Sequence, residues 1–142
     1  AIGKGILIAE IQQNSNTTYR VYDYGRVGKD GKPRELHIEK AIDVTELCPP
    51  KYDTKPQGKP VKIDGGEETL LRSCEYFDVH KIKVSGTVTL DADEKSFMSV
   101  LVLEGSGKIG ELDAKKGDSF FVPCSGEKIR AEGDCELILT HI

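Results

Sequence analysis

The chain lacks any apolar run long enough to cross a membrane and any recognisable targeting segment, so membrane insertion is not expected. Its four cysteines, Cys48, Cys74, Cys124 and Cys135, include no C-x-x-C pair, which excludes a zinc knuckle and a thioredoxin-type redox motif. The three histidines, His37, His80 and His141, are far apart and show no H-x-H grouping, so no metal site is expected among them. Basic charge is also in short supply. The formal net charge is -4, and the single basic group, Lys29, Lys32 and Arg34, reads as a solvated loop, so nucleic acid is not an expected partner.

What is present is the composition of a soluble globular protein, 37% apolar and 31% charged over 142 residues. That length holds one ordinary domain, or a small domain and part of another. With no leader and no cysteine framework, a reduced, cytoplasmic setting is expected. The chain opens on the glycine-broken apolar run Ala1 to Ala9 without an initiator Met, which reads as a boundary within a longer protein.

Gly5 to Gln13 and Thr17 to Tyr24 are expected to be consecutive strands, with Thr18, Arg20, Tyr22 and Tyr24 on one face. Gly25 to Pro33 reads as an exposed loop, and Glu35 to Leu47 as a short helix with Leu36, Ala41 and Val44 buried and Pro49-Pro50 as its stop. Four prolines between Cys48 and Pro60 mark a linker, with a domain boundary near Val61.

Beyond it, short strands are expected at Leu70 to Cys74, Tyr76 to Val84, Phe97 to Glu104, Ser119 to Pro123 and Glu136 to Ile142, the pattern of an antiparallel sandwich or barrel. Leu103 to Gly107 reads as a turn, Gly117-Asp118 as a hairpin, and Pro123 as a strand end. This order of glycines, Gly-Asp turn and proline resembles the second half of a cupin jelly roll.

Two longer stretches carry a more specific resemblance. Glu10 to Tyr24 (EIQQNSNTTYRVYDY) and Arg34 to Val44 (RELHIEKAIDV), in that order, resemble the type I mannose-6-phosphate isomerases in their shorter bacterial form. The resemblance implies an all-β fold: residues 1–47 as the C-terminal part of a catalytic cupin barrel, 48–60 as a linker, and 61–142 as a cupin-like jelly-roll barrel. It also implies interconversion of mannose 6-phosphate and fructose 6-phosphate through an enediolate, in a parent enzyme that uses zinc as a Lewis acid. The zinc ligands are implied upstream of Ala1, with none in this chain.

By the same resemblance, Arg20 matches the catalytic arginine, Glu10 a pocket glutamate, and Lys40 a lysine near the site mouth that anchors the substrate phosphate. The family more often has Asp at the position of Asn16. Without the resemblance, Arg20 reads as an ion-paired surface residue, Glu10 as a solubilising charge and Lys40 as a solvated helix residue. Tyr19, Tyr22 and Tyr24 either line a sugar pocket or enter the core. Cys124 reads as a small buried residue rather than a nucleophile. Two rival readings are a non-enzymatic sugar-binding or scaffold module and a structural piece that self-associates through its first strands.

Overall fold

A computed structural model describes residues 3–49, 51, 53–92 and 94–142, and the chain divides into two compact units, Ala1–Lys51 and Tyr52–Ile142.

The first unit contains little regular structure. Its one helix among the described residues, α1 (Ile38–Val44), begins at His37, whose carbonyl accepts from the Ala41 amide, and ends at extended Thr45. It lies inside the segment expected to be helical. Only Ala41 is buried, while Leu36 and Val44 are exposed. Pro50, half of the expected stop, lies outside the described residues. The loop after Gly25 is closed by a bridge between Val27 and Pro33 and by the Gly28 amide donating to the Lys32 carbonyl.

The two strands expected at 5–13 and 17–24 do not form. A strand is satisfied only by a neighbour that takes up its amides and carbonyls. No such neighbour lies alongside these stretches among the described residues, and β-branched composition alone does not supply one. Tyr19, Tyr22 and Tyr24 are all exposed, so none serves as core.

The second unit is a seven-stranded antiparallel sheet: β1 (Val61–Ile63), β2 (Gly66–Ser73), β3 (Asp78–Asp91), β4 (Met98–Ile109), β5 (Leu112–Lys115), β6 (Ser119–Val122) and β7 (Lys128–His141). The hydrogen-bonded order is β1-β2-β3-β7-β4-β5, and β6 also pairs with β4. Each of the five expected strands is found. β3 and β7 run much further than expected, through Gly86 and Gly133, and β1 and β5 were not foreseen.

Residues of one parity point inward. On β3 these include Ile82, Val84, Val88 and Leu90; on β7, Ala131, Cys135, Leu137 and Leu139; on β4, Met98, Val100 and Val102. They join Ala114 of β5 and Val122 of β6 in one core cluster. Each fully buried Val or Leu contributes about 1.5–3 kcal/mol of transfer free energy.

Two glycine motifs behave differently from the sequence expectation. Leu103 to Gly107 is not a turn but the interior of β4, where the register shifts between Val102 and Glu104 and Gly105 takes a φ of 77°. A bulge with a left-handed glycine bends the strand without ending it. Gly117-Asp118 does turn the chain, but not into a hairpin. β5 pairs with Ser106–Ile109 and β6 with Met98–Leu101, so both lie along the same edge of β4.

Candidate functional site

In the first unit, Arg20 is held against the start of α1. Its amide donates to His37 Nδ1 at 3.1 Å, and its carbonyl accepts from the His37 amide at 2.7 Å. The Arg20 guanidinium donates through Nη1 to the Glu35 carbonyl at 2.9 Å and lies 3.8 Å from Asp23 through Nε. Asp23 is gripped on its other side by Arg34, which donates through both Nε, at 2.6 Å, and Nη2. Two guanidiniums therefore flank one carboxylate, leaving local positive charge beside the exposed surface.

The Arg34 hydrogen bond holds the Asp23 carboxyl below its ordinary value of 3.8, opposed by partial burial and reinforced by the charges of Arg34, Arg20 and Arg26. A lowered folded pKa means that this pairing stabilises the fold fully above the ordinary aspartate range, and that the contribution is lost as pH falls through the lowered value. A carboxyl NMR titration is expected to place Asp23 below an ordinary aspartate, with Arg34→Ala moving it back up. A value at or above the ordinary one would dissolve the proposed pairing.

Glu10 lies exposed in an irregular stretch, and Lys40 is exposed on α1. Among the described contacts, neither shares a hydrogen bond or ion pair with Arg20. The structure joins Arg20 instead to Asp23, Glu35 and His37, with Arg34 on the same Asp23 carboxylate, and the sequence assigned none of these a role beside Arg20. The i, i+3 spacing of Arg20 and Asp23 was the one local signal available.

The second unit holds a separate cluster. Asp78 and His80 share the inward face of β3, and His141 of β7 stands directly opposite Asp78 in the ladder. One ligand atom from each lies within 4.8 Å of the others, and all three residues are half-buried. The His80 and His141 rings stack, with centroids 5.6 Å apart. Thus the expectation that the histidines stay dispersed fails for these two, because an antiparallel register unites residues distant in sequence. His37 belongs to the first unit.

All four cysteines are free thiols; Cys124 is exposed rather than buried, whereas burial pushes the Cys135 thiol up. No helix among the described residues is long and apolar enough to cross a membrane.

Comparison with known proteins bears on both units. The family model described as mannose-6-phosphate isomerase, cupin domain, matches residues 66–142. Mannose-6-phosphate isomerase ManA of Bacillus subtilis is 41% identical over 146 residues, covering 100% of this chain, and a mannose-6-phosphate isomerase of Streptococcus mutans is 39% identical over 99% of it. The chain spans 45% of the length of each of these relatives. The crystal structure of mannose 6-phosphate isomerase from Bacillus subtilis superposes with a TM-score of 0.72 at 36% identity, over 91% of this chain and 41% of that one. The nucleoside dehydratase Pac13 matches at a TM-score of 0.53 and 18% identity, over 65% of this chain and 82% of that one, a likeness of fold alone. With its cupin fold matched over more than half of its length, this chain belongs to the mannose-6-phosphate isomerase cupin-domain family.

Proposed function

We propose that this chain serves in an aldose–ketose isomerase that interconverts mannose 6-phosphate and fructose 6-phosphate, with Arg20 as its main contribution to the reacting centre. In this reading residues 1–47 belong to the catalytic cupin domain, 48–60 are a linker, and 61–142 form a C-terminal cupin-like domain that supports it. One observation carries the proposal: the similarity to enzymes named as mannose-6-phosphate isomerases extends over the whole chain, so it includes the irregular first unit as well as the cupin.

The chemistry requires a proton to move between C1 and C2 of the open-chain sugar, which places negative charge on oxygen in the enediolate. A guanidinium is suited to that charge because it is permanently cationic and presents several donors in one plane. Arg20 is already fixed at its backbone by His37 and at its side chain by Glu35, so little ordering remains to be done on substrate binding. Glu10 and Lys40 are assigned to the substrate, the lysine to its phosphate.

Zinc supplies Lewis acidity in the reaction that the resemblance implies. The residues around Arg20 do not fit that ion: His37 Nδ1 is taken by an amide, two arginines crowd Asp23, and no group of three ligands occurs in this unit among the described residues. Zinc at the reacting centre would need ligands other than these, and no step is assigned to it here.

The isolated 142-residue chain is expected to be inactive, so the test is a coupled assay of the isomerase that carries it, with mannose 6-phosphate and with fructose 6-phosphate. Interconversion of the two is expected, and a folded, metal-supplied protein that fails to interconvert them would refute the proposal. Lys40→Ala is expected to raise KM roughly fivefold with kcat little changed, as loss of an exposed ionic contact worth about 1 kcal/mol would do. An unchanged KM would return Lys40 to the solvent.

A further inference from the structure

We propose that Asp78, His80 and His141 bind one divalent first-row transition-metal ion inside the cupin of the second unit. Two imidazoles and one carboxylate form a donor set suited to zinc, cobalt, nickel or ferrous ions, and poorly suited to calcium, which prefers a shell of oxygens. The three ligand atoms already lie within 4.8 Å of one another. Bonds of about 2.0–2.2 Å to a shared ion need a somewhat tighter triangle, which side-chain rotation supplies without moving the backbone. The backbone itself is well fixed. Asp78 and His80 are two residues apart on β3, and His141 is locked opposite Asp78 by continuous pairing of β3 with β7.

Glu68 supports the same assignment. It sits on β2 opposite Ile82, and its Oε1 is 2.8 Å from His80 Nδ1. That nitrogen is buried, yet the contact does not meet hydrogen-bond geometry, so Nδ1 has no hydrogen-bond partner among the described residues. A buried polar atom without a partner is costly. A small ring rotation toward the ion brings Nδ1–H onto Glu68 and directs Nε2 to the metal, the arrangement by which a carboxylate fixes the tautomer of a metal-binding histidine.

Beside the cluster is a cavity of about 210 Å³, lined by Glu68, His80 and His141 against the apolar side chains of Ile82, Leu90 and Met98. It is roomy enough for several waters at about 30 Å³ each. Three protein ligands beside such a space describe an open site, with coordination positions left for water or a small ligand, rather than a closed structural one. Glu68 brings a carboxylate to the cavity and no lysine or arginine is among its lining residues, which favours a metal ion over an anion.

The experiment uses the untagged 142-residue chain, titrated with Zn²⁺ and with Co²⁺. The protein has three histidines, and His37 lies in the first unit, so it serves as an internal control. Ring ¹⁵N–¹H spectra are expected to show one equivalent of Zn²⁺ shifting His80 and His141 while His37 stays in place. Co²⁺ is expected to produce a ligand-field absorption band that saturates at one ion per chain. His141→Ala should abolish both signals, and Glu68→Gln should weaken binding about tenfold to a hundredfold while leaving one site. Circular dichroism confirms that each variant is folded, and the wild-type spectra decide the matter without any variant. Shifts at all three histidines, no shift at about millimolar Zn²⁺, or undiminished Co²⁺ binding in folded His141→Ala would each overturn the proposal.

Discussion

Arg20→Ala, introduced into the isomerase that carries this chain, is expected to lower kcat by about a hundredfold or more, the usual consequence of removing one donor from a developing oxyanion. The variant also loses the bond to the Glu35 carbonyl, so a fall in activity alone would not separate chemistry from local disorder. Two further readouts do. The Arg34–Asp23 pair stays intact in Arg20→Ala, so the Asp23 carboxyl should still titrate below an ordinary aspartate if the local fold persists. Arg20→Lys keeps the positive charge but loses the planar fork, and is expected to recover only part of the lost rate. Near-wild-type turnover in a folded Arg20→Ala enzyme would take this residue out of the reacting centre and return it to its role as a brace for the start of α1.

The largest expected effect on stability belongs to Gly107→Ala. Gly107 lies between Gly133 of β7 and Ala114 of β5, and a Cβ built on it would stand 1.8 Å from the Glu132 carbonyl oxygen and 3.2 Å from the Gly133 Cα. Those neighbours are backbone in the middle of a paired sheet, so they cannot swing aside as the end of a long side chain does. The strands must separate, and a loss on the order of 3 kcal/mol or more is expected in urea denaturation. Gly117→Ala is the matched comparison. Gly117 has a φ of 92° but nothing within 4 Å of a built Cβ, so its cost is that of a left-handed backbone alone, about 1–2 kcal/mol. Equal losses at the two positions would mean that close strand approach is not what demands glycine at 107.

The expected fold survives best where the sequence alternates. β4, β6 and the end of β7 are dense in β-branched and aromatic residues, and their partners are within the same unit. The early stretch from Gly5 to Tyr24 has similar composition but no partner strand alongside it, and composition cannot report a missing neighbour. Glycine misled in the other direction. Gly105 read as part of a turn, and the expected strands stopped short of Gly86 and Gly133, yet all three lie inside long strands, where Gly105 permits a bulge and Gly133 close approach to β4. The His80–His141 pair was hidden for a different reason. A metal motif is legible in local spacing, whereas these residues meet through strand register. Strand parity marks both as inward-facing, since His80 is in step with Ile82 and Val84, and His141 with Leu139 and Leu137. For Arg20, Glu10 and Lys40 the residues alone left bland readings in place, and only likeness to a family assigned them work.

The sharing of one side of β4 between β5 and β6 has a consequence for how the protein behaves in a crowded solution. The strands most able to template a growing fibril are the long apolar ones, β3, β4 and β7; β4 and β7 are enclosed by neighbours on both sides, and β3 is so enclosed over residues 78–84. What the sheet offers at its margins is β1, three residues long, β5 and β6, four residues each, and the short end of β3 beyond residue 84, which pairs with β7 alone. A passing chain therefore finds too few consecutive free amides and carbonyls to dock against. Fibril growth from this unit must wait for the unit to open, which ties its colloidal lifetime to its unfolding equilibrium rather than to the chemistry of its surface.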